Sequence, residues 1–310
     1  RAPRAERARR AGRSAGISTV ELMVALAVGL LLSLFASALL LAAHANYAHQ
    51  ADAADMEDAG RYAIHALTAA VRQTAWQDWS LQADTDEYAP APLAGLDDRT
   101  LPRTQEAIAN PSPASVNGSD VLAVRFHAAA DGSAMNCAGV QVNDDAHAWS
   151  VFYVARAADG EGELLCKYRG THSWSADAIV RGVDSFQVLY GVDTDNPRDG
   201  IPNRYLAATQ IAAADTLLPL EGDTPEERAR DLNRKTMWKR VVVLRVALLM
   251  HGTGRIRREG AAGQYDLFGP DYAGASDPGT RIDEATLPAA LRLRERRVFA
   301  GAVMLRNQPW

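Results

Sequence analysis

From Gly16 to Ala43 the chain carries a single charge, Glu21, and every other residue in that stretch is apolar, small or hydroxylic. Residues Leu22 to Ala43, LMVALAVGLLLSLFASALLLAA, would rise roughly 33 Å as an α-helix, enough to cross the hydrocarbon core of a bilayer. The pattern predicts a membrane-spanning helix over 17–43. A carboxylate inside such a span costs about 2.5–3.5 kcal/mol on insertion scales, so Glu21 calls for a partner.

Ahead of the span, Arg1, Arg4, Arg7, Arg9, Arg10 and Arg13 stand against Glu6 alone, a net +5 over the leader 1–16. Cationic flanks of this kind stay cytoplasmic and send the rest of the chain outward. No ammonium follows Glu21 within the span, but a cut between Gly16 and Ile17 would create an α-amino group at the same membrane depth, where a neighbouring subunit's Glu21 would meet it. A plain anchor with an acid near the interface is the simpler alternative. A secretory signal is another, with Ala43-His44-Ala45 as its cleavage site, although its apolar region is usually about 7–15 residues. Gly12-Arg13-Ser14-Ala15-Gly16 matches the G-x-S-x-G hydrolase pattern, but an arginine-rich leader supplies no buried strand before that elbow.

Gly16-Ile17-Ser18-Thr19-Val20-Glu21 followed by LMVAL resembles the class III leader junction of type IV prepilins. The resemblance implies that a prepilin peptidase cuts after Gly16 and methylates the new N-terminus at Ile17, with Glu21 as the assembly charge. Ile17 departs from the phenylalanine usual at that position.

Beyond the span, Met56, Gly60, Ala63, Leu67, Ala70 and Thr74 recur at steps of three or four, with Ile64 and Val71 widening the stripe. This predicts an amphipathic half of the same helix over 44–75, about 88 Å from Ile17 in all, which Gly60 would bend. The remaining residues, 76–310, are expected to form one exported head. Five prolines between Tyr88 and Asp120 read as a long surface connection. Strands are expected at 121–126, 150–155, 163–169, 184–192, 238–250 and 296–307, with a hairpin turn at Asp159-Gly160-Glu161-Gly162. Thr224-Pro225-Glu226-Glu227 is a capping box opening a short helix to about Lys235, and Gly252 to Pro288 reads as irregular. The fold class is therefore α+β: a long N-terminal helix, transmembrane in its first half, packed on an antiparallel sheet, as in pilins.

The succession DVLAVRF, SVFYVA, ELLC, VRGVDSFQVLYGVDTD, IPNRY, WKRVVVLRVALL and RRVFAGAVMLRN is similar to the PilW family of minor pilins. What this resemblance implies is a minor pilin that takes part in initiating the type IV pilus, in a priming or tip complex, and so in twitching motility or adhesion. Its partners would be other minor and major pilins through the N-terminal helix, the prepilin peptidase and a tip adhesin. It would sit in the inner membrane as a single-pass protein with a periplasmic head before entering the fibre. A minor pseudopilin of a type II secretion system and a membrane-anchored periplasmic enzyme are the alternatives.

Other chemistry is sparse. The whole chain stands at −5, so the part beyond the leader carries about −10, against sequence-independent binding of nucleic acid. Cys137 and Cys166, the two cysteines of the chain, are expected to pair in an oxidising compartment, closing a loop worth roughly 3–4 kcal/mol, or else to be two buried thiols. Asp193, Asp195, Asn196 and Asp199 offer oxygen ligands for Ca²⁺, but Pro197 and the missing spaced glutamate break the EF-hand template, and a solvated turn explains them as well. The seven histidines share no metal-ligand spacing, Gly252-Thr253-Gly254 lacks the third glycine of a dinucleotide loop, and the head aromatics fit a core. No cofactor, structural metal or catalytic constellation is expected.

Overall fold

The computed structural model describes residues 16–76, 86–129, 131–142, 148–170, 172–255, 262–272 and 277–307; the leader arginines, His147 and Trp310 lie outside them. Helix α1 runs Thr19–Gln73. Its residues belong to two compact units, divided between Ala51 and Asp52 and therefore inside the amphipathic half rather than at its start. In the first unit every described side chain from Gly16 to Ala51 is exposed. Among the described residues α1 alone is long and apolar enough to cross a membrane, its best window having a mean hydropathy of 2.6.

In the second unit α1 buries Met56, Gly60, Ala63, Leu67, Ala70 and Val71, the stripe its periodicity predicts. Asp52 pins this part to the sheet, accepting hydrogen bonds from the Thr253 amide (2.7 Å), the Thr253 hydroxyl (2.7 Å) and the Gly254 amide (3.4 Å). Gly252 must be glycine for that approach, because a Cβ there would lie 2.0 Å from the Asp52 carboxylate. Helix α1 continues without a break through Gly60, where a bend is expected. A Cβ on Gly60 would meet the Phe299 ring at 2.5 Å, so the glycine makes room for an aromatic ring.

Two larger antiparallel sheets, with a small two-stranded one beside them, stand where one is expected. The first has the order β1 (Leu93–Leu96), β2 (Val121–Phe126), β3 (Ala148–Arg156), β4 (Gly162–Arg169), β5 (Trp174–Arg181). The second has the order β11 (Arg294–Met304), β8 (Val241–Arg255), β6 (Val183–Val192), β7 (Arg204–Leu206). The turn after β3 forms as expected, with Gly160 at φ +86°. Residues 237–240 turn as a 3-10 helix before β8, so that strand starts later than its apolar run. Helix α2 (Ala208–Asp215) was not legible, whereas α3 (Pro225–Lys235) starts on the predicted capping box: Thr224 Oγ accepts from the Glu227 amide and Glu227 Oε2 accepts from the Thr224 amide, both at 3.2 Å.

The main core gathers the α1 stripe with Leu122, Phe152 and Leu164 of the first sheet and Phe186, Val188, Leu244 and Leu248 of the second. Both sheets are also covered on their other faces. Leu101 and Ile108 lie over Val121, Val151 and Leu165, inside the stretch expected to be a surface connection. Leu267, Phe268 and Ile282 lie over Leu189, Ala247 and Leu249, and the segment expected to be irregular contains the small hairpin β9 (Gln264–Asp266), β10 (Arg281–Asp283). Burial on both faces explains why β6 is buried at all ten positions instead of alternating.

Gly60→Val should lower the melting temperature of the second unit by an overpacking cost of about 1–3 kcal/mol, and Phe299→Leu should recover part of it. A double-mutant cycle by thermal unfolding checks this; additive effects would mean that the ring does not set the glycine.

Candidate functional site

The first turn of α1 builds its own cap. Ser18 precedes the helix, its Oγ accepting from the Val20 amide at 3.3 Å and its carbonyl from the Leu22 amide at 3.1 Å. Glu21 Oε2 in turn accepts from the Ser18 amide at 2.9 Å. The sequence is that of an S-x-x-E capping box, with the Ser18 hydroxyl on the second rather than the third helical amide; the two bonds satisfy main-chain donors that a helix start leaves without partners and set a carboxylate at the positive end of the helix dipole. The sequence argument gave Glu21 no partner in its own chain. The three-residue spacing from Ser18, S-x-x-E, was the signal that would have found one. Gly16 and Ile17 lie exposed outside the helix, Ile17 at 78%.

Glu21 also heads a row on the helix surface. Ala25, Gly29, Ser33 and Ser37 follow at steps of four, a row that starts beside Glu21 and winds round the helix by about 40° per step. A Cβ on Gly29 would meet nothing within 4 Å. The hydroxyls of Ser33 and Ser37 donate to the carbonyls of Gly29 (2.9 Å) and Ser33 (2.8 Å), so both are satisfied within the helix and impose no polar demand on a lipid or helix neighbour. The row is smooth, small and close to the backbone, the shape that lets apolar helices approach one another.

In the second unit the two expected cysteines are joined: Cys137, ahead of β3, is disulfide-bonded to Cys166 of β4 with Cα atoms 5.9 Å apart. The acidic turn comes together as well, carboxylate oxygens of Asp193, Asp195 and Asp199 lying within 4.8 Å of one another. Its chemistry is that of a turn. Asp193, fully buried, accepts from the amides of Asp195 (2.9 Å), Asp199 (3.0 Å) and Gly200 (2.8 Å). Burial pushes its carboxyl up, but the three amides and Arg198 outweigh that and hold it below the ordinary range. The guanidinium of Arg240 donates to the main-chain carbonyls of Asp193 and Asp195, both at 3.3 Å, placing a cation where Ca²⁺ would seek its carbonyl ligands.

The histidines are dispersed: His44, His49, His65 and His172 are exposed and His127 is half-buried. His251 is buried, with Nε2 2.7 Å from Glu161 and Nδ1 3.0 Å from Asp184. Beside it Arg296, also buried, bridges Asp184 (2.7 Å) and Glu284 (3.2 Å). This network ties the β3–β4 turn to β6, β8 and β11. Sequence reading missed it because no spacing along the chain foretells it.

A family model described as "Type IV Pilus-assembly protein W" matches residues 151–307, from β3 to the end of the described chain. Among solved structures, a type IV-like pilin from Thermus thermophilus is similar at 13% identity, covering 82% of this chain and 98% of that one, with a TM-score of 0.36. No curated protein matches in sequence.

Asp193→Ala should lower the melting temperature of the second unit more than Asp195→Ala or Asp199→Ala, because it alone strands three amides. Scanning in excess Ca²⁺ and in chelator should give the same value for the unaltered chain. A Ca²⁺-dependent rise abolished by Asp195→Ala would reverse the assignment of this turn.

Proposed function

Because the chain belongs to the PilW family of type IV pilus-assembly proteins, we propose that it is a minor pilin, cut after Gly16 by a prepilin peptidase, methylated at Ile17, and drawn from the inner membrane into the pilus through α1. Its place is a priming or tip complex with other pilins and an adhesin, serving motility or adhesion, and its role is assembly rather than catalysis. The observation that carries this reading is the capped carboxylate at the head of an exposed apolar helix, in the same chain as a head of this family.

The chemistry follows from that turn. Oε2 of Glu21 is held by the Ser18 amide, which fixes the carboxylate at one depth and one azimuth. Removal of the leader leaves an ammonium at Ile17, one helical turn before Glu21 in sequence. A neighbouring helix displaced along the bundle axis then presents its ammonium to this carboxylate in a medium of low dielectric, where the pair is far stronger than in water. The row Ala25, Gly29, Ser33 lets the backbones close on one another while the charges set the register.

Amino-terminal sequencing of membrane-extracted protein should begin at Ile17, and Gly16→Arg should leave an unshifted band on a gel. The charge and the cap separate by substitution: Glu21→Gln keeps a capping acceptor and loses the charge, whereas Ser18→Ala weakens the cap and keeps the charge. Both should insert in the membrane. Recovery in sheared pili should fall at least tenfold for Glu21→Gln and stay within about twofold for Ser18→Ala; normal recovery of Glu21→Gln would sink the charge-register idea.

A further inference from the structure

Three carboxyl groups with no metal-like convergence, Asp97, Asp120 and Asp277, are buried at 8%, 2% and 7% exposure and within electrostatic reach of one another. Among the described residues none of them forms an ion pair with a cationic side chain. Three uncompensated buried charges are too costly to coexist, so protons must occupy part of the set.

Their hydrogen bonds decide where. Asp97 caps α2 from outside, accepting from the Ala208 amide (2.9 Å), the Thr209 amide (2.7 Å) and the Thr209 hydroxyl (2.6 Å). Asp120 accepts from the amides of Asp98 (3.3 Å) and Val188 (2.9 Å). Among the described residues Asp277 has only the Tyr272 hydroxyl, 3.1 Å from Oδ2, and its buried Oδ1 has no partner. Burial and then the charge of Asp97 push the Asp277 carboxyl up to about 6, with Tyr272 pulling the other way. Burial and then Asp97 drive Asp120 well above the usual range. Tyr190, whose buried hydroxyl also has no partner, is the remaining titratable group facing the set.

Asp277 opens a turn wedged into the fold. The Thr280 hydroxyl donates to the Asp277 carbonyl (2.7 Å), the Leu267 amide to the Thr280 carbonyl (2.9 Å), and the Ser185 hydroxyl to the Gly279 carbonyl (3.1 Å). Gly279, at φ +86°, lies so close to the main chain of Gly118 that a Cβ would be 2.6 Å from its carbonyl oxygen. This turn leads directly into β10, whose Ile282 helps cover Leu189, Ala247 and Leu249.

We infer that the turn Asp277–Thr280 is a proton-dependent clasp: protonated, Asp277 stays docked beside Asp97 and Asp120; ionised, it is repelled and the covering of the second sheet loosens. The sign follows from a carboxyl whose value is raised on docking. Docking is strongest below the ordinary carboxylate value of about 3.9 and is lost as pH rises through about 6, so the opening equilibrium grows roughly 100-fold across that window and then levels. The clasp does not depend on the assembly role.

Hydrogen exchange at the Leu267 amide, measured on the full chain in detergent micelles from pH 4 to 7 and corrected for intrinsic exchange, tests it. Protection should fall about 50-fold over this range in the unaltered chain and stay flat in Asp277→Asn. Tyr272→Phe, which removes the one donor favouring the ionised form, should move the fall to higher pH and serves even if Asp277→Asn does not fold. Protection independent of pH, a fall that survives in Asp277→Asn, or no displacement in Tyr272→Phe would overturn the inference.

Discussion

The face of α1 from Asp52 to Val71 is the surface on which the second unit is assembled. Leu67 and Val71, both fully buried, contribute on the order of 1.5–3 kcal/mol each by removal from water, and Gly60, Ala63 and Ala70 between them keep the helix surface low enough for the strands to approach. Apolar contact alone would tolerate sliding. Polar contacts at separate levels fix the register: Asp52 on Thr253 and Gly254, Glu57 on Arg297, and the Asn307 side chain on the carbonyls of Arg72 and Thr74.

The connections between strands serve the same end. A sheet with one face on α1 and the other in water would show alternating polar and apolar residues, yet Leu189, Ala247 and Leu249 are apolar on the side away from the main core. They are accounted for by Leu267, Phe268, Ile282 and Leu287, which lie on them. The stretch around Leu101 and Ile108 does the same for the first sheet. Segments that look like surface loops by their proline and glycine content are therefore the outer layers of the unit, and Asp97 and Asp277 are buried because they belong to those layers.

Sequence reading placed β2, β3, β4, β6, β11 and α3 because each carries a local signal: β-branched runs between turns, or a capping box with proline behind it. It missed β5, whose WSADAIVR mixes alanine and aspartate with apolar residues and owes its strand to pairing with β4. Helix α2 was missed for a different reason. Its N-cap is Ala207, which has no side-chain oxygen to offer, and the cap comes from Asp97, 111 residues away from Ala208 along the chain. The buried network around His251 and Arg296 was equally invisible, being made by elements remote in sequence. At the N-terminus the opposite held: Ser18 and Glu21 spell the S-x-x-E pattern openly, but the surrounding apolar run makes the charge look isolated in the sequence.

The cap changes the energetics of that charge without removing the need for assembly. A hydrogen bond to a charged group contributes about 1.5–3 kcal/mol, while a carboxylate in the span costs about 2.5–3.5 kcal/mol. On the proposed assembly role, the Ser18 amide would offset much of the penalty of placing a single chain in the bilayer. A neutral donor leaves the net charge in place, and on the same proposal the residual field would draw an ammonium from a neighbouring chain. Complete compensation inside one chain would remove the drive to assemble, and none at all would oppose insertion; in the proposed bundle a partly compensated Glu21 would lie between these limits.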